Sequence, residues 1–292
     1  MQDRNFFMNI FLFVWPKCRM KCKYCLENNT NNYEKFDKEK ILSILNIFAK
    51  EKVARVWLTG GEATLCPYIL DYIKICKENN IDARFSTQDG LALNHLAKDL
   101  YNINIQLSLN GIYKFHDDIT QIENSFLDIE KAVKNINENF SNHNINFSAR
   151  FILRPEYINH LDDCINWCIN NNIKKIYLSN ISSSGKGKGY VETNNKISKK
   201  EFNNILKNMA QKYGDIIQIN EKHNGKQGDL CGVYPNGDVY IRPVNFTEDG
   251  RLLLGNLFKD NPKQIYKNFK QNYPNLHINY LQKINNDGTL KI

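Results

Sequence analysis

FLFVWPKCRMKCKYCLEN, residues 11–28, carries an apolar run straight into three cysteines, Cys18, Cys22 and Cys25, spaced C-x3-C-x2-C. The apolar residues read as the first strand, so the thiols stand at its mouth. Three close thiolates suit three irons of a 4Fe–4S cubane and leave the fourth iron for a ligand from outside the chain, because iron–sulfur clusters are held by cysteine thiolates, four in a complete set. Lys17, Arg19, Lys21 and Lys23 lie among the cysteines. Their charge favours ionised thiols and an anionic cluster. Taken alone, the triplet leaves a zinc site or three buried thiols open.

Working outward, strand-like runs recur at 6–14, 53–58, 82–86, 103–109, 145–153 and 174–179. Helical patterns lie between and after them at 36–50, 66–79, 91–98, 124–140, 158–171 and 198–213. In the first helix Ile41, Leu42, Leu45 and Phe48 repeat at three- and four-residue spacing. Short strands alternating with amphipathic helices predict an α/β fold with a parallel sheet and right-handed crossovers.

Each later strand ends on a distinctive string. VARVWLTGGE, residues 53–62, closes on Gly60-Gly61-Glu62. ARFSTQDG spans 83–90, NIQLSLNG spans 104–111, and NFSARFIL spans 146–153. Together with the cysteine triplet, and with Tyr24 just before its third member, these strings resemble the radical S-adenosylmethionine superfamily. The resemblance implies a partial (β/α)6 TIM-like barrel, with its site at the C-terminal strand ends, where barrel enzymes place their chemistry. It implies a 4Fe–4S cluster on Cys18, Cys22 and Cys25, with S-adenosylmethionine chelating the open iron through its amine and carboxylate. It also implies that the Gly60-Gly61 backbone approaches the methionyl amine and that Glu62 accepts a hydrogen bond from it. Ser86, Ser108 and Asn110 then line the ribose and carboxylate, Arg150 holds the carboxylate, and Tyr24 joins the cofactor contacts.

The rest of the chain narrows the choice of class. With 292 residues, 42% of them hydrophobic, the chain can bury a large core. No apolar stretch is long enough for a membrane helix. Eight cysteines with a cluster motif predict a reducing cytoplasm and not a disulfide framework. The net charge of +8 is scattered, so nucleic-acid binding is not expected. Cys66, Cys76, Cys164 and Cys168 read as structural, the last two on one helix face. SSSGKGKGY, residues 182–190, lacks the P-loop pattern and reads as a loop or a G-x-G turn, with Lys186 and Lys188 as candidate phosphate contacts.

Residues 229–258, DLCGVYPNGDVYIRPVNFTEDGRLLLGNLF, predict a hairpin around Pro235-Asn236-Gly237-Asp238. They resemble the SPASM and twitch subfamily, as do SLNGIYKFHDD at 108–118 and SKKEF at 198–202. That subfamily carries cysteine-held auxiliary clusters here. This chain has Arg242-Pro243-Val244 where the pattern ends in P-C, and Cys231 is its only cysteine after residue 168. Cys231 with His223 is too few for a cluster, so the appendage is expected to keep its hairpin without one. The domain reading is 1–215 for the barrel and 216–292 for a truncated appendage, its end past 270 frayed or loosely packed.

The resemblance implies reductive cleavage of S-adenosylmethionine to a 5′-deoxyadenosyl radical, which takes a hydrogen atom from a peptide or protein, as in the crosslinking or epimerisation of ribosomally made peptides. Nucleotide or small-metabolite chemistry is one alternative, and a non-catalytic iron–sulfur protein is another. The expected partners are the peptide, a reductant such as flavodoxin or ferredoxin, and a separate leader-recognition protein, because no recognition domain precedes Cys18. Cys231 is either a catalytic hydrogen-atom donor or a buried remnant.

Overall fold

The computed structural model describes residues 6–25, 36–182, 185–194, 197–221, 231–241 and 252–275. They pack as two compact units. One draws on 6–16, 36–85, 231–241 and 252–275, the other on 17–25 and 86–221 within its described parts. These are packing divisions, and they do not follow the chain-order boundary at 215. His223, Arg242-Pro243-Val244 and the tail from 276 lie outside the described residues.

In the first unit, β1 (Asn9–Trp15), β2 (Arg55–Gly60) and β3 (Asp82–Thr87) are parallel neighbours. β1 buries Ile10, Leu12 and Val14 and leaves Phe11, Phe13 and Trp15 half-buried, the two-residue alternation of a strand with two different faces. Helix α1 (Lys38–Lys50) starts on Asp37, whose carboxylate accepts from Glu39 N, and buries Ile41, Ile44, Leu45 and Phe48. Helix α2 (Ile69–Glu78) follows β2 and buries Ile69, Tyr72, Ile73 and Cys76.

The C-terminal segment belongs to the same unit. β8 (Cys231–Val233) runs parallel to β1, and β9 (Asp238–Ile241) returns antiparallel to it. Gly237, at φ +88°, turns the hairpin. β10 (Leu252–Asn256) pairs with β9, and helix α9 (Pro262–Asn272) buries Ile265, Tyr266 and Phe269. Phe7 packs edge-on to Tyr266 at 5.0 Å. The expected hairpin is therefore present, and its first strand extends the sheet alongside β1.

The second unit holds β4 (Ile103–Leu109), β5 (Ile145–Leu153), β6 (Lys175–Asn180) and β7 (Gln218–Glu221), all parallel and in that order. Helix α3 (Gly90–Leu96) precedes β4. Between β4 and β5 come α4 (Lys114–Thr120) and α5 (Ser125–Asn139), and α6 (Leu161–Asn170) follows β5. Cys164 and Cys168 are fully buried on α6, and burial pushes the Cys164 thiol up to about 12. Helix α8 (Lys199–Tyr213) starts on Ser198, which accepts from Glu201 N.

Two features differ from the sequence expectation. β7 was not foreseen, because its four residues are too short and polar to show a period. The glycine-rich run also contains a helix, α7 (Lys186–Thr193). The helix comes so close to Ser182 that a Cβ on Gly187 would stand 2.1 Å from its carbonyl oxygen. That approach explains a glycine at 187 without any phosphate.

Candidate active site

The three cysteines belong to the second unit. Cys22 is buried in an apolar nest with Met20, Tyr24, Ile119 and Ile181, and the part-exposed Cys18 and Cys25 pack against it. Backbone bonds fix the loop from two sides. Lys21 N and Lys23 N donate to the carbonyls of Thr120 (2.9 Å) and Ile119 (3.1 Å) at the end of α4, while Lys186 N at the start of α7 donates to Cys25 O (3.1 Å).

A charged clasp adds a third hold. Arg19 Nε donates to Asp89 Oδ2 at 2.7 Å and its Nη2 donates to Oδ1. Asp89 is wholly buried and also caps α3 by accepting from Ala92 N (2.9 Å). Gln88 Nε2 reaches Cys22 Sγ at 3.0 Å, a donor aimed at a sulfur that would carry charge.

These residues fit the cluster. Among the described residues, no group of three or more His, Cys, Asp or Glu side chains is placed to hold a metal ion. A structural zinc site would need four donors around one ion. A cubane makes a different demand, because each thiolate takes its own iron. Three thiols gathered at one nest, with cationic neighbours and an N–H donor at one sulfur, suit that demand.

Tyr24 and Asn110 meet directly: the buried phenol donates to Asn110 Oδ1. Burial pushes the phenol well above its usual range, so it remains a donor. Asn110 is a junction. Its N–H donates to His116 Nδ1 (3.1 Å) and its carbonyl accepts from Arg154 Nη2 (2.7 Å). Arg154 also donates to Phe115 O (2.8 Å) and Glu156 Oε1 (2.6 Å). His116 is fully buried, and desolvation pulls its pKa down to about 4, opposed by the charge of Asp117. Accepting at Nδ1 puts the ring proton on Nε2.

Ser108 and Arg150 are partners in the β4–β5 register. Arg150 Nε lies 3.3 Å from Ser179 Oγ, and desolvation lowers the guanidinium to about 10. Ser86 is half-buried near the end of β3.

In the first unit, the β2 end has a specific geometry. Gly60 sits at φ +139°, and a Cβ there would stand 2.1 Å from Trp15 O. Gly61 N donates to the same oxygen at 2.7 Å. The glycine at 60 is thus demanded by the β1 backbone itself, a reason separate from access to a cofactor. Glu62 is buried, and its Oε1 accepts from Thr64 N (3.2 Å) and Oγ1 (2.7 Å). The carboxylate is locked in place before any ligand arrives.

Cys231 is wholly buried in register with Ile10 of β1 and Ile241 of β9. Desolvation pushes its thiol far above the usual range. This placement suits the buried remnant and gives no support to the hydrogen-donor role.

Sequence reading missed Gln88, Asp89, His116 and Arg154. Asp89 had a legible signal, an aspartate before a helix-opening glycine. Arg154 had none, since its role comes from carbonyls distant in the chain.

Residues 12–168, more than half of the chain, match the Radical SAM superfamily. The chain belongs to the radical SAM superfamily. As a member it is a radical SAM enzyme, with the family's cofactors, a 4Fe–4S cluster and S-adenosylmethionine. It is 27% identical to a probable GTP 3′,8-cyclase of Sulfurisphaera tokodaii, over 70% of this chain and 64% of that protein. It is 21% identical to the sporulation killing factor maturation protein SkfB of Bacillus subtilis, over 85% of this chain and 62% of that protein. Streptococcus suis SuiB bound to its precursor peptide SuiA superposes with a TM-score of 0.65 at 17% identity, covering 90% of this chain and 65% of SuiB. That likeness shows the fold, an α/β partial barrel with a mostly parallel sheet. The chain thus spans under two thirds of the length of each of these three. Among the described residues, no helix is long and apolar enough to cross a membrane.

Proposed function

We propose that the enzyme modifies a peptide or protein, as a maturase of ribosomally made peptides. The observation that carries this reading is the combination of a radical SAM site with a C-terminal hairpin, β8–β9, and helix α9. That order is found in the peptide-modifying subfamily the sequence resembles; SkfB is named a maturation protein, and SuiB is seen bound to a precursor peptide. We assign 1–215 to the barrel and 216–292 to a truncated appendage without an auxiliary cluster. The setting is a reducing cytoplasm, with a flavodoxin or ferredoxin as reductant and a separate protein reading the leader.

When bound and reduced, the cofactors supply a 5′-deoxyadenosyl radical that takes a hydrogen atom from an unactivated C–H bond. The chain's own residues position and shield. Cys18, Cys22 and Cys25 would hold the cluster at an apolar nest. Glu62, kept in place by Thr64, would accept from the cofactor amine, and Arg150 would take its carboxylate. Ser86, Ser108 and the Asn110–Tyr24 pair would line the ribose and carboxylate.

A second reading is favoured by the Sulfurisphaera tokodaii relative, whose name makes a nucleotide the substrate. Anaerobic incubation separates the two. Peptides encoded beside this gene should raise 5′-deoxyadenosine above the background without substrate and gain a mass change of their own. If nucleoside triphosphates do so and the peptides do not, the peptide reading falls.

A further inference from the structure

The second unit has an open cavity of about 790 Å³ whose wall includes Lys21, Cys22 and Lys23 of the cluster loop. Lys114 from α4 and Lys186 from α7 complete a basic rim. All four lysines are exposed. Lys21, Lys23, Lys114 and Lys186 have no ion-pair partner among the described residues, and the Lys114 ammonium lies over the Phe115 ring at 5.4 Å. Two carboxylates share the wall, Asp118 and Glu156, and Glu156 is already engaged by Arg154. Among the described residues the wall is net positive, with Lys21, Lys23, Lys114, Lys186 and Arg154 against Asp118 and Glu156.

The character of the wall argues for its occupant. Small-molecule sites are mostly apolar, with a few polar groups fixing orientation. Here half of the lining residues are charged. Transient electron-transfer encounters are small, wet and guided by charge. The wall also contains a cluster ligand, so whatever docks here comes as near to the cluster as the fold allows on this side. Tyr190, also in the wall, stacks edge-on against Tyr24 at 5.3 Å, continuing the nest outward.

We propose that this lysine-rimmed cavity is the docking site for the electron donor, an acidic one-electron carrier protein of the flavodoxin or ferredoxin class. The step is balanced simply: the reduced carrier loses one electron, the cluster gains it, and no bond is made or broken. The proposal rests on the radical SAM reading only for the presence of the cluster, because docking and reduction are both read without substrate.

The test uses the reconstituted holoenzyme and flavodoxin. Binding is measured by calorimetry and cluster reduction by anaerobic stopped-flow absorbance, at low and high salt. Photoreduced deazaflavin, an uncharged small reductant, is the control. Lys114→Glu with Lys186→Glu should weaken flavodoxin binding and slow reduction by flavodoxin about tenfold or more, the range of electrostatic steering. High salt should do the same to the wild type, since screening shortens the reach of charge to about 10 Å at 0.1 M. Asp118→Lys should shift both in the opposite direction. Reduction by deazaflavin should be unchanged in every variant. Wild-type flavodoxin binding in the double variant would overturn the proposal, as would an equal loss with deazaflavin, which would make the lysines props of the cluster loop. Normal flavodoxin kinetics with lost peptide binding would overturn it too, in favour of a substrate subsite.

Discussion

Cys22 and Cys231 are both buried cysteines, set in opposite surroundings. Cys22 lies on an irregular loop, with Gln88 donating to its sulfur and exposed lysines on either side in sequence. Cys231 begins a strand, between Ile10 and Ile241, with desolvation acting alone on its thiol. Burial by itself therefore says little about what a thiol does. The difference lies in the donors and charges that would receive a thiolate: the first site is built for one, and the second penalises it.

The largest expected effect tests the first half of that contrast. Cys18, Cys22 and Cys25 changed together to Ala should remove the cluster, taking bound iron from about four per chain to none. Iron and sulfide analysis with the visible absorbance band reads the result. A triple variant that still loads four irons breaks the comparison outright. A wild-type chain that loads about eight would show that the strand-bound region holds a cluster after all.

The loop site depends on polar groups sealed from water, and His116 exposes that cost to acid. Its pKa of about 4 lies below the roughly 6.5 of an exposed imidazole. Between those values the unfolded chain binds a proton that the folded chain refuses. Stability is full above about 6.5 and is lost as pH falls towards about 4, by about 3 kcal/mol in all. His116→Asn keeps an acceptor for Asn110 N–H and removes the titration. Denaturant midpoints across that window should fall less steeply in the variant, and equal slopes would place the acid sensitivity elsewhere.

Much of this was legible before the structure. The cysteine spacing, the glycine-glycine-glutamate turn and the alternation of strands and helices are local patterns, and each is written in neighbouring residues. Ser108 and Arg150 came together because parallel register places motif-bearing strand ends side by side. The illegible part is non-local. Arg154 is recruited by carbonyls of Asn110 and Phe115, and its sequence context is an ordinary strand end. The helix at Lys186–Thr193 defied its glycine content because packing against Ser182 and a bond to Cys25 outweigh a propensity cost of about 1 kcal/mol per glycine. Gly60 was legible for one reason and is required for another, the closeness of Trp15 O.

The clasp on the loop should have a middling effect. Arg19→Met leaves the buried Asp89 with its α3 cap but without a cation. Arg19 is partly exposed, so the loss is about 1–2 kcal/mol, read as a lower melting temperature with slower cluster loading. An unchanged melting temperature would mean that the loop is held by its backbone bonds alone. In the first unit, Glu62→Gln keeps the oxygen that accepts from Thr64 and removes the charge. S-adenosylmethionine affinity should fall about tenfold, about 1–2 kcal/mol, with iron and melting temperature intact. Normal affinity would detach the glycine-glycine-glutamate turn from the cofactor.

The smallest effect belongs to Cys231, and it is where the contrast can fail most informatively. Replacing it by Ala removes one buried sulfur from between two isoleucines, a loss of about 1 kcal/mol of stability on the scale of one buried methylene-sized group. Iron content, cofactor cleavage and product formation should match the wild type, because a wholly buried thiol set between β1 and β9 is closed off from a substrate in this arrangement. Product and 5′-deoxyadenosine are followed together in one assay. If cleavage continues while product disappears, and the wild-type product carries deuterium from heavy water, then Cys231 delivers a hydrogen atom to the substrate. The strand carrying it would then have to open during turnover, and a thiol's surroundings in the resting fold would no longer reveal its chemistry.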